Sequence, residues 1–125
     1  MRAEVHANPE WFLTACKKLA EIEENAADYE DPEEGDKAPT KEVFDAVRAF
    51  LTAVKNQGGE AKLEVPHMFV SPSGHMVLTY GNKTASIDLR FSPEVFFSFK
   101  KGDAAPVKGE GLANVVGLVG RHFRV

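Results

Sequence analysis

The residues best spaced for chemistry are a histidine and an aspartate on two adjacent alternating runs. His75 opens one run, continued by Met76, Leu78 and Tyr80, and Asp88 lies in the next, Lys83 to Phe91. With Gly81–Asn82 as a two-residue hairpin loop, Tyr80 pairs with Lys83 and His75 falls opposite Asp88. A carboxylate beside an imidazole fixes its tautomer and stabilises its charged form, which is the orienting half of many general-base arrangements. In the same register Lys100 flanks Asp88 on its other side and Arg90 lies beside Ser98. His75, Asp88, Lys100 and Arg90 are therefore the candidate catalytic or ligand-binding residues. The ordinary alternative is a cross-strand charge pair on a solvated sheet face, worth roughly 0.2–1 kcal/mol. Ser86 shares that face, but its partner is Val77 and no elbow motif presents it as a nucleophile.

Phe69, Val77 and Phe96 fall among these polar residues. A cluster of apolar side chains on such a face points to a docking surface for a protein partner or for a second copy, that is, a homodimer. No metal or cofactor is expected. His6, His67, His75 and His122 show neither HxxxH nor HExxH spacing, and the acidic stretch lacks the spacing of a calcium loop. Gly109–Glu110–Gly111 reads as a turn, without the GxGxxG or Lys–Ser/Thr of a phosphate loop. Cys16 is the only cysteine. It lies on an apolar helical stripe, so a buried, inert thiol is expected, with neither disulfide nor thiolate cluster.

The 125 residues suit a single domain, 1–125, of ordinary globular composition, with 43% hydrophobic and 27% charged residues. The net charge of −4 is uneven: residues 1–66 hold fifteen acids and eight bases, and residues 67–125 hold four acids and seven bases. An acidic chain argues against general nucleic-acid binding, although Lys100, Lys101, Lys108, Arg121 and Arg124 could form a basic edge. No apolar run is long enough for a transmembrane helix. Met1 to Ala7 has no apolar signal region, so a cytoplasmic protein is expected.

These residues need a scaffold. Asn8 and Pro9 start a helix whose stripe is Phe12, Ala15, Cys16, Leu19 and Ile22 and which fades near Ala27; Trp11 flanks it and caps the core, or, if exposed, marks an interface. An acidic loop over about 28–39 separates it from a second helix. That helix begins at Thr40, buries Val43, Val47, Phe50 and Val54, and ends at Gln57 before Gly58–Gly59. Ala61, Leu63 and Val65, then Met68 and Val70, form a first strand with a break at Pro66. Three more strands follow, His75–Tyr80, Lys83–Phe91 and Val95–Lys101. One register gathers Met68, Val70, Met76, Leu78, Ile87, Leu89, Phe91, Phe97 and Phe99 on the core face. The expected fold is α+β: two N-terminal helices on one face of a four-stranded antiparallel meander, with a C-terminal helix or strand over Leu112–Phe123.

The stretch Val70–Ser71–Pro72–Ser73–Gly74, followed by Met76, Leu78 and Tyr80 in alternation, resembles the central hairpin of small uncharacterised bacterial proteins, many of them carried on phages, plasmids or gene cassettes. The similarity covers about a third of the chain, essentially the sheet. It implies no activity and no catalytic residues, and favours an accessory or interaction protein. Two readings follow. The first is a non-catalytic protein that self-associates through the outer sheet face. The second is a small enzyme or ligand-binding protein using His75, Asp88 and Lys100.

Overall fold

The computed structural model describes residues 8–58 and 62–124. Pro9 caps the first helix, α1 (Glu10–Glu24), and its carbonyl accepts the amide protons of Phe12 and Leu13. Asn8, expected as the cap, instead accepts a hydrogen bond from Lys55 Nζ. The buried residues of α1 are Trp11, Ala15 and Leu19. The stripe thus lies closer to Trp11 than the spacing suggests, and Cys16 is half-buried. A 3-10 turn, Ala26–Tyr29, follows. The acidic loop is exposed but not shapeless: Asp31 and Asp36 exchange backbone hydrogen bonds, and Asp31 Oδ1 accepts the amide protons of Glu33 and Glu34.

Helix α2 (Lys41–Gly58) starts after Thr40, whose carbonyl accepts the amides of Val43 and Phe44. Val43, Phe44, Val47, Phe50, Leu51 and Val54 bury one side of it. Arg48 joins α2 to Glu23 on α1 and to Asp45 on its own helix. Phe50 meets Phe91 with ring centres 5.6 Å apart and Tyr80 at 6.5 Å.

The sheet has five antiparallel strands in sequence order: β1 (His67–Val70), β2 (Met76–Gly81), β3 (Ala85–Phe91), β4 (Val95–Lys101) and β5 (Val107–Glu110). The first is shorter than expected. Ala61, like His6 and Gly59, lies outside the described residues, and Leu63 pairs with Arg124 at the chain's far end rather than with the sheet. Pro66, lacking an amide proton, precedes the first paired residue.

The fifth strand replaces the expected turn at Gly109. Gly109 stands opposite Phe97, and a Cβ there would lie 2.6 Å from Phe97 Cζ. The phenyl ring covers the site, so glycine is required by the close approach and not by a turn. Helix α3 (Leu112–His122) resolves the C-terminal alternative as helix and packs beside α2 on the same sheet face. Its Gly120 is buried against Gln57 of α2. Glycine is a poor helix former, but at this position its lack of a side chain permits the two helices to meet.

All nine expected core-face residues do lie on the helix side, though Val70, Phe97 and Phe99 are only partly buried. The first hairpin has the expected register, with Met68 opposite Leu78 and Val70 opposite Met76. The next two do not. Tyr80 pairs with Ile87, not Lys83, and Leu89 pairs with Phe97, not Phe99. Asn82 explains the longer second loop. Its Oδ1 accepts from the Thr84 amide, the Thr84 hydroxyl and the Ala85 amide, each at 2.9 Å. That is the side-chain turn chemistry of asparagine, and it needs four residues, Asn82 to Ala85. Both displacements are even, so no side chain changes face.

Two expectations follow from the packing. Asn82→Ala should cost roughly 1–2 kcal/mol, because one acceptor organises the whole turn; denaturant unfolding would measure it, and a change below a few tenths would contradict this role. The Tyr80 hydroxyl is buried with no hydrogen-bond partner among the described residues. Burial, aided by the Glu64 charge, pushes its pKa far above the ordinary 10. An unfolded tyrosine ionises near pH 10 while the folded one stays neutral, so this group's contribution is complete below pH 10 and is lost as pH rises beyond it. Tyr80→Phe should therefore flatten the alkaline loss of stability and leave neutral stability equal or up to about 1 kcal/mol higher. Melting temperatures across pH 7 to about 11 test this; an unchanged alkaline limb would contradict it.

Candidate functional site

Because the helices all pack on one face, the other face of the sheet carries no described element. Its side chains stand in rows set by the strand register. One row crosses all five strands as Phe69, Val77, Arg90, Phe96 and Glu110. The adjacent row reads His67, Thr79, Asp88, Ser98 and Lys108. Neighbours within a row are about 5 Å apart, and the rows are separated by about 7 Å. This face holds an open groove of about 640 Å³ lined by Phe69, His75, Val77, Asp88, Arg90 and Phe96, with Ser92, Ser98 and Lys108.

Most of the sequence-predicted site residues meet here. Phe69 and Phe96 are 43% and 41% exposed, whereas Val77 between them is 7% exposed. Val77 has no helix over it, so its burial comes from its neighbours on the sheet. His75, Asp88 and Arg90 share the groove; Lys100 does not, because it pairs with Ser86 one row further on.

The expected His75–Asp88 pair is not formed. Asp88 faces Thr79, four residues beyond His75 along β2, or about 13 Å. Lys100 is likewise displaced from Asp88, whose partner on β4 is Ser98, and Arg90 faces Phe96 rather than Ser98. His75 is instead held by the first turn. Its Nδ1 lies 3.3 Å from Ser73 Oγ, which lies 3.0 Å from Ser71 Oγ, and its amide donates to Ser71 Oγ at 3.3 Å. No described carboxylate bonds this imidazole. A hydroxyl–hydroxyl–imidazole chain without one lacks the group that orients a general base.

The chain matches no family model, no curated protein and no solved structure.

Sequence reasoning assigned Lys108 to a basic edge and Glu110 to a turn, and placed neither on the outer sheet face. Both belong to β5, where the local pattern suggests turn and loop. Alternation of Val107 and Gly109 with Lys108 and Glu110 is the available signal, and the glycine masks it. Among the described residues, Asp88, Arg90, Lys108 and Glu110 take part in no ion pair, whereas α1 and α2 hold several. The face therefore offers two positive and two negative charges beside exposed phenyl rings.

Other features are less suggestive. Trp11 is buried and meets Phe12 edge-on, so it is a core residue and not an interface marker. Burial pushes the Cys16 thiol up, opposed by Arg48 and Lys55, so it is not an activated nucleophile. Among the described residues, no three His, Cys, Asp or Glu side chains converge as metal ligands, and no helix is long and apolar enough to cross a membrane.

Proposed function

We propose that this is a non-catalytic interaction protein that self-associates through the outer face of its sheet. The observation that carries the reading is the row Phe69–Val77–Arg90–Phe96 on the sheet face that carries no described helix, with Phe69 and Phe96 exposed. Single exposed apolar residues are ordinary on a protein surface; here two exposed phenylalanines share one row, with the buried Val77 and the charged Arg90 between them. An accessory role agrees with the hairpin resemblance. The separation of His75 from Asp88, and of Lys100 from the groove, counts against the catalytic reading of those residues.

The dimension of the face sets the expected strength. Five strands about 4.8 Å apart and about six residues long give a footprint of roughly 24 by 20 Å. That is at the low end for a stable protein interface, so reversible, concentration-dependent association is expected. Sedimentation equilibrium of the full chain tests it. Phe96→Asp should abolish association while changing stability by less than about 0.5 kcal/mol, as at most exposed sites. A wild type that stays monomeric throughout, or a Phe96→Asp protein that associates equally well, would overturn the proposal.

The groove itself favours one second reading, a small-molecule site. A volume of about 640 Å³ falls within the usual range for ligand pockets. Stabilisation of the wild type by a small molecule, lost on Arg90→Ala, would favour it over self-association.

A further inference from the structure

We infer that the partner on the outer face is a second copy of this chain, related by a two-fold axis that runs across the strands between the two central rows. This rests on the self-association proposed for that face and specifies its geometry.

Read from β1 to β5, the first row is Phe69, Val77, Arg90, Phe96, Glu110: neutral, neutral, positive, neutral, negative. The second is His67, Thr79, Asp88, Ser98, Lys108, with the opposite sign to the first at β3 and at β5. A two-fold axis lying between two facing sheets can run along the strands or across them. Running along the strands, it lays each row on its own copy. Passed through β3, that axis sets Arg90 on Arg90 and Asp88 on Asp88, two like-charge contacts; passed through β4 it pairs Arg90 with Glu110 and Asp88 with Lys108, but leaves β1 and β2, with Phe69 and Val77, outside the contact.

Running across the strands and midway between the rows, the axis instead lays the first row on the second. Arg90 then faces the second copy's Asp88, and Glu110 faces its Lys108. Symmetry repeats each pair, so four ion pairs form from charges that are unpaired in the single chain. The apolar positions fit the same placement. Phe96, exposed in the single chain, meets the small Ser98 of the other copy, Val77 meets Thr79, and Phe69 meets His67. The strands of the two copies run antiparallel, with the modest angle that sheet twist imposes on facing sheets. An isologous interface of this kind closes on itself and stops at a dimer.

Charge reversal reads this register directly. Asp88→Arg places a second guanidinium against Arg90 of the other copy, and Arg90→Asp places a second carboxylate against its Asp88. Each variant alone should dimerise at least about tenfold more weakly than the wild type at low salt, since like charges then meet twice. Mixed in equal amounts, the two variants should form a heterodimer of about wild-type affinity, because the reversed charges then meet their opposites. Lys108→Glu and Glu110→Lys form a second, independent pair with the same expectation. Far-UV circular dichroism confirms that each variant is folded, and sedimentation equilibrium gives the affinities. A wild-type dimer whose single variants associate normally, or whose mixtures do not recover, would overturn the register and leave self-association standing. A wild type that remains monomeric would overturn both.

Discussion

Phe50 lies where α2 crosses the sheet, with its ring against Phe91 and Tyr80, and Tyr80 continues the cluster to Phe123 beyond α3. This aromatic contact ties β2 and β3 and the end of the C-terminal helix to one side of one helix. Once α2 is seated there, α1 packs along it, fastened by Arg48 and Glu23, and α3 packs on its other flank. The three helices therefore share one face of the five-stranded sheet, covering its centre and leaving Val107 on β5 exposed. The opposite face is left to solvent or to a partner, and its character follows from packing on the far side of the sheet.

Period-two alternation makes that division of faces legible. Every residue assigned to the core face points there, even though two hairpins pair differently from the simplest loop assignment. The reason is arithmetic: a displacement by an even number of residues preserves the face, so burial constrains parity and little more. Which residue meets which across the strands depends on loop length, and loop length depends on individual side chains. Asn82, with three hydrogen bonds to its Oδ1, lengthens the second loop in a way that a glycine–asparagine pair alone does not announce. The His75–Asp88 pairing depends on that loop and fails with it, while the assignment of both residues to the outer face survives.

The missing strand and the ambiguous helix share another cause. Gly109 and Gly120 are punctuation by local rules, but each is a point of close approach between elements distant in sequence. Phe97 covers one, and Gln57 borders the other. Local propensity cannot register a ring that arrives from the neighbouring strand. The loss of β5 conceals that Lys108 and Glu110 stand on the outer face, and with them the opposite charge signs of its two rows. Phe69, Val77 and Phe96 are visible from sequence because their alternation lies within strands that local patterning reveals.

We propose that the uncovered sheet face is the contact surface. Amide chemical shifts recorded by two-dimensional NMR over a dilution series test it most directly, because they report location as well as association. The account predicts concentration-dependent shifts centred on residues 67, 69, 77, 79, 88, 90, 96, 98, 108 and 110, with the helices unchanged. Shifts confined to the helices, or to the free edges of β1 and β5 alone, would contradict it, as would a spectrum that does not change with concentration.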